Sequence, residues 1–241
     1  MDALADVMAW LLDPAHWSGN DSIPTRVWEH LTLSNAALLL ALLVALPVGL
    51  LIGHTRRGDL IAINLANLAR AVPSYAVMVM ALPLTLAIDP RNGLTTYPIL
   101  LAMILLAIVP ILVNAYTGVR DVDPELVEAA RGMGMRELEI LRNVELPLAL
   151  PVIVGGIRTA AVQVVATATF GAILGYGGLG RYLIDGIARQ EFDRLWAGVV
   201  LVAGLAIVTE LVFAAIQRRL TSTGLRVVTA GVVAEGPATA G

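Results

Sequence analysis

The segment Asp123 to Pro151, DPELVEAARGMGMRELEILRNVELPLALP, is the only long charged stretch set between apolar ones, and it starts and stops like a soluble helical hairpin. Asp123 can cap a helix whose first residue is Pro124, a position where the missing proline N–H costs nothing. Glu125 and Glu128 fall in the early turns, where the helix dipole favours negative charge. Gly132 and Gly134 interrupt this helix, and a second is expected from about Met135 to Val144, ended by Pro147 and Pro151. Small residues at 129, 130 and 134 would let the first helix seat closely in a groove on another protein, with Glu128 offering that partner a charge. An ordinary amphipathic loop that touches no partner is the plainer alternative.

The rest of the chain sets the context of this hairpin. It has 241 residues, 58% of them hydrophobic and only 15% charged, and a mean hydropathy of +0.80. That is too apolar for a soluble domain of this size, so the bilayer is the solvent and the fold is an all-α integral membrane protein. A net charge of -3 without a basic cluster argues against a nucleic-acid partner. Cysteine is absent, and His16, His30 and His54 are far apart in sequence, so neither a thiol nucleophile nor a metal site is expected. No G-x-x-x-x-G-K-[ST] loop occurs, which leaves this chain without a nucleotide cofactor; any motor driven by ATP and Mg must sit on another subunit.

Residues 1–30 form an N-terminal extracytoplasmic or interfacial segment. Leu4, Val7, Met8, Leu11 and Leu12 recur at helical spacing near Trp10, Trp17 and Trp28, which fits an interfacial helix with aromatic anchors; a frayed terminus is the alternative. No positive n-region or A-x-A site is present, so no signal peptide is read. The transmembrane domain covers residues 31–220, with about five spans expected. They run over about 31–53, 60–88, 97–117, 152–174 and 195–217, the second being too long for a simple crossing and broken at Pro73. The hairpin, about 121–150, lies between the third and fourth. Small residues dominate from Thr221 onward, so residues 221–241 are expected to be a disordered tail.

Polar residues inside the spans are costly and must face protein or water. Asn64, Asn67, Arg70 and Ser74 recur every three to four residues as one stripe. Asn114 in the third span and Gln163 and Thr167 in the fourth add to this set. They line a translocation pathway or serve as interhelical hydrogen bonds. Gly175, Gly177, Gly178 and Gly180 stop the fourth span at an outer gate loop, ahead of a half-buried segment from about Arg181 to Arg194. Arg158 and Glu210 both lie roughly 11 Å above the lower ends of their spans at 1.5 Å per residue. A structural ion pair is the simplest reading of both; a proton-coupling role for Glu210 is the sharper one. Arginines 56, 57, 120, 131, 136, 142, 218, 219 and 226 outnumber those on the opposite side, 26, 91, 181, 189 and 194. This bias places the hairpin and C-terminus in the cytoplasm and the N-terminus outside.

Glu128-Ala129-Ala130, three residues, Gly134, nine residues, then Val144, any residue, Leu146-Pro147 resembles the "EAA" signature of permease subunits of bacterial ABC importers, with Val144 where isoleucine is commoner. The match extends to Tyr116–Arg120, Asp123-Pro124, Val144–Pro151, Gly156–Ala160 and Gly177–Gly180. Together these are similar to the type I importer core of the osmoprotectant branch, which handles glycine betaine, choline, carnitine and proline betaine. The segment Gly177–Gly186 looks like actinobacterial members of that branch. The resemblance implies a multi-pass protein of the bacterial plasma membrane that takes up such solutes. It also implies two ATPase subunits coupled through the hairpin, a second permease subunit (the same chain or a homologue) and an extracytoplasmic substrate-binding protein. A permease for methionine or another amino-acid-like solute shares five spans and the same loop. A stand-alone secondary transporter fits less well, because no internal repeat is found.

Overall fold

A computed structural model describes residues 2–58, 64 and 73–220, and among these every regular element is helical. Helix α1 (Asp2–Leu12) leads through a 3-10 turn at Pro14–Trp17 into α2 (Ile23–Thr55). Then follow α3 (Ser74–Ile88), α4 (Thr96–Arg120), and the hairpin of α5 (Pro124–Gly132) and α6 (Glu137–Ile140). A π-helical turn at Leu141–Glu145 joins α6 to α7 (Leu146–Thr167), which tightens to 3-10 geometry over Ala168–Leu174. Helices α8 (Gly180–Arg189) and α9 (Phe192–Leu220) complete the described chain.

Among the described residues, four helical stretches are long and apolar enough to cross a membrane: α2, α4, Glu137–Leu174 and α9. Helix α3 has 15 residues, a rise of about 22 Å against a hydrocarbon core of about 30 Å. It forms the second half of the expected 60–88 run and begins directly after Pro73. The preceding half, with Asn67 and Arg70, lies outside the described residues; Asn64 is helical and exposed.

Two helix boundaries fall where hydropathy does not place them. The helix that carries the expected first span does not start with it at Leu31: α2 starts at Ile23, with the Ser22 hydroxyl accepting from the Thr25 N–H at 3.4 Å and Pro24 in the first turn. Hydropathy marks where a helix enters the bilayer, whereas the capping residues mark where the helix begins. Nor do Pro147 and Pro151 end the second hairpin helix, because the chain stays helical from Glu137 to Leu174. In the π turn the Leu146 N–H bonds to the Leu141 carbonyl, so the turn is widened just where Pro147 would clash with a regular one. Pro151 then lies inside α7, and its carbonyl accepts from Gln217 Nε2 of α9 at 2.9 Å.

Helix α4 is central, packed against α2 on one side and α7 on the other, with α3 along it and α9 against α7 and α8. The main core is built from small and aliphatic residues of these three helices, among them Ala37, Ala41, Met103, Ala107, Ala160 and Val164. Lipid tails are as apolar as the side chains, so close backbone approach stabilises the bundle more than burial does. At Gly156, a Cβ would meet the Pro110 carbonyl oxygen of α4 at 2.6 Å. Helix α9 buries only Ala197 and Gly198, leaving most of its surface facing outward.

Candidate functional site: hairpin, outer turn and polar clefts

The hairpin has a small core of its own. Val122, Val127, Ala130 and Ile140 are buried, with Met135, Val144 and Leu148 packed against them. Ala130 is therefore turned inward, contrary to the expectation that it helps seat the helix on a partner. Residues three apart share a helix face, and Val127 fixes that face as the buried one. Glu128, Ala129 and Gly134 are exposed. Asp123 Oδ1 accepts from the Glu125 N–H at 2.9 Å and caps α5. Gly134 has φ +85 with nothing within 4 Å of a Cβ position, so glycine is required there by conformation and not by space. Arg131 clamps the two limbs, with Nε and Nη2 donating to the two oxygens of Glu137 at 2.8 and 2.9 Å. The Glu137 carboxylate raises the Arg131 pKa further above its already high ordinary value. Leu146 packs against the Ala115 and Val119 cluster of α4, while Pro147 is exposed. The sequence reading passed over Met133 and Leu138, which are 76% and 74% exposed. Large apolar residues in an otherwise charged hairpin were the available signal.

At the other end of the bundle, the glycine-rich turn is held by the first turns of α2. Gly175 and Gly178 adopt φ of +86 and +79. The Gly178 N–H donates to Glu29 Oε2 at 2.7 Å, and the Leu179 N–H donates to His30 Nδ1 at 3.3 Å. His30 Nε2 donates in turn to the Val165 carbonyl at 2.8 Å, which assigns the ring proton to Nε2. At Gly180 a Cβ would run into the backbone of Thr169. Tyr176 donates to the Glu29 carbonyl at 3.2 Å, and burial beside that carboxylate raises its phenol pKa. Tyr182 donates to the Asp21 carbonyl at 2.7 Å; burial pushes this phenol up to about 12. Helix α1 docks here, with Trp10 stacked on His16 at 3.9 Å and edge-on to Tyr182 at 5.2 Å. The sequence reading passed over Glu29 and considered His30 only as a possible metal ligand.

The polar residues of the spans are partly gathered. Asn114 and Gln163 line a cleft of ≈ 150 Å³ between α4 and α7, together with Thr159 and Pro110. Asn114 Nδ2 donates to the Pro110 carbonyl of its own helix at 2.8 Å, a bond within α4. A second cleft of ≈ 420 Å³ shares Thr159 and Gln163 and adds Arg158, Glu210 and Gln217. Arg158 Nε donates to Glu210 Oε1 at 2.8 Å, and its Nη1 to Gln217 Oε1 at 3.1 Å. Ser74 opens α3 and Thr167 is buried at the end of α7; neither lines these clefts. Among the described residues, no three His, Asp or Glu side chains converge as metal ligands.

Membrane-length helices packed through small residues, with an exposed amphipathic hairpin between the central helix and the next, define a multi-pass membrane protein of the transporter type. The chain belongs to the family described as the binding-protein-dependent transport system inner membrane component, which matches residues 45–222. It is thus a permease of the ABC importer class, whose members work with ATPase and substrate-binding partners. It is 36% identical over 201 residues to the choline transport system permease protein OpuBB of Bacillus subtilis, covering 83% of this chain and 89% of that one. It is 35% identical, over the same shares of the two chains, to the carnitine transport permease protein OpuCB of Listeria monocytogenes. The osmoprotectant import permease protein OsmW of Salmonella typhimurium is 34% identical, covering 92% of this chain and 100% of that one. Among solved structures, an inward-facing form of the MetNI methionine ABC transporter superposes with a TM-score of 0.71 at 24% identity, covering 89% of this chain and 98% of that one. At that identity the likeness shows the fold.

Proposed function

We propose that this chain is the membrane subunit of an ATP-driven importer for quaternary ammonium osmoprotectants: choline, carnitine, glycine betaine or proline betaine. The observation that carries the reading is the 34–36% identity to permeases named for choline, carnitine and osmoprotectant transport across most of this chain. The likeness to the methionine transporter, at 24% identity, is weaker. Two ATPase subunits bind ATP and Mg and seat on the exposed face of the hairpin, around Glu128, Ala129, Gly134, Met133 and Leu138. This chain catalyses no step itself. The hairpin and C-terminus face the cytoplasm, and the glycine-rich turn faces outward toward the binding protein. A second permease copy or homologue pairs with the surface carrying Asn114, Thr159 and Gln163, and the solute crosses there.

A quaternary ammonium is held in an aromatic box by cation–π attraction, and in this reading the box belongs to the binding protein. The test is uptake of labelled choline and glycine betaine by osmotically stressed cells that depend on this permease. Competition by choline, carnitine or betaines and none by methionine is expected; competition by methionine alone would sink the substrate reading. Co-purification of an ATPase subunit with wild type and its loss in Glu128→Lys is expected from the same membranes.

A further inference from the structure

The hairpin end of α2 is held by both limbs of the hairpin. His54 lies in the last turn of α2. Its Nδ1 is 2.5 Å from Glu145 Oε2, and its Nε2 is 3.4 Å from Glu137 Oε2. Glu145 is in the π turn and only 2% exposed; Glu137 is at the start of α6 and exposed, with Arg131 of α5 on its far side. Two residues further, Arg56 caps α2 in the left-handed region and donates from Nη2 to the Val122 carbonyl, just before α5, at 3.3 Å. Meanwhile Gly53 brings α2 flush against α4: a Cβ there would lie 2.8 Å from the Tyr116 carbonyl oxygen. His54 thus stands between the hairpin and a close contact of α2 with α4.

The chemistry of the ring follows from its partners. The ring bonds to Glu145 through Nδ1, and its Nε2 lies within ion-pair distance of Glu137. A carboxylate as deeply buried as Glu145 is stable only when paired. Arg131, Glu137, His54 and Glu145 form a row of polar contacts running from α5 to the π turn.

Building on the proposal that the hairpin couples to an ATPase, we propose that His54 is the positioning residue that transmits hairpin displacement to α2 and α4. Displacement of α5 pulls Glu137 through Arg131, and Glu137 and Glu145 carry the end of α2 with them. Without the bridge the hairpin moves and the spans do not follow, so ATP is hydrolysed without uptake.

The experiment uses the full complex, with its ATPase and binding protein, reconstituted in vesicles, and reads solute taken up per ATP hydrolysed. In His54→Ala and His54→Gln, the complex assembles and hydrolyses ATP while the ratio falls about tenfold, within the usual range of coupling between sites. His54→Arg, a permanent cation able to reach both carboxylates, recovers most of the ratio. Glu137→Gln breaks the same bridge from its exposed side, where folding is not at stake, and also lowers the ratio. If wild type is coupled and both His54→Ala and Glu137→Gln keep its ratio, this inference is overturned and the importer reading stands. If wild type shows no ATP-driven uptake, the importer reading falls and takes the inference with it.

Discussion

Glu29 Oε2 accepts the backbone N–H of Gly178 at 2.7 Å, joining residues 149 positions apart and fastening the glycine-rich turn to the start of α2. The same oxygen also takes Arg26 Nη1 at 2.8 Å, and a methyl group at position 177 would collide with both side chains. Glu29→Ala is expected to cost about 1.5 to 3 kcal/mol, the range for a hydrogen bond to a charged group. Gly177→Ala should cost about 1 to 3 kcal/mol through overpacking. Because truncating Glu29 also removes the collision, the double variant should be more stable than the sum of the single losses implies. Thermal unfolding in detergent measures this cycle, and simple additivity would count against the contact.

The left-handed backbone at Gly134 gives the second prediction. The site is open, so side-chain size is irrelevant and only conformation is under test. Asparagine visits this region more readily than other non-glycine residues, whereas a β-branched side chain does so at a penalty. Gly134→Asn should therefore retain most uptake, and Gly134→Val should lose most of it while still reaching the membrane. Gly134→Asp, which adds charge on the exposed face beside Ala129, is expected to abolish transport. Equal uptake by all three would remove the hairpin from the coupling path.

How much of this architecture could be read beforehand depended on how local its causes were. The hairpin was legible because Asp123, Pro124 and Gly134 act through their own backbone neighbours, and the central helix because Thr96–Arg120 is apolar along its length. The start of α2 at Ile23 was not legible from hydropathy, because Glu29 and His30 find their partners, Gly178, Leu179 and Val165, more than a hundred residues away. The continuity through Pro147 was hidden for a different reason. Whether a proline ends a helix or sits in a widened turn depends on packing, here Leu141 and Leu146 against the α4 cluster. Ala130 was assigned to the wrong surface because the signature records residue type but not which side of the helix meets Ile140.

Tyr182 gives a titration that sequence would not suggest. Its phenol lies well above its ordinary value, at about 12, against about 10 in an unfolded chain. The folded state therefore holds this proton where the unfolded state has lost it. The contribution is fully present below about pH 10 and is lost as pH rises toward 12. Phenolate absorbance should show one tyrosine ionising late in the folded protein, absent from Tyr182→Phe, with stability declining over the same interval. A variant that leaves the late transition in place would assign it elsewhere, Tyr176 being the next candidate, since its phenol is also raised.

Arg158 and Glu210 offer a test that separates a structural pair from a functional one. Arg158 binds both Glu210 and Gln217 of α9, and Gln217 continues to the Pro151 carbonyl of α7, so the network staples α7 to α9 along one cleft. Removing either charge leaves the other at membrane depth without its partner, where an unpaired ionised group is costly. Each single alanine variant is expected to lower the yield of folded protein severalfold. If stapling is the whole role, Arg158→Glu combined with Glu210→Arg restores both yield and uptake, because the pair is remade with its sign reversed. If yield returns and uptake does not, the sign of the charge facing the cleft matters to the solute or to a proton, and Glu210 moves from a structural to a functional residue. Uptake measured at two external pH values in the swapped variant then decides between solute and proton, since only a proton role makes the defect depend on pH.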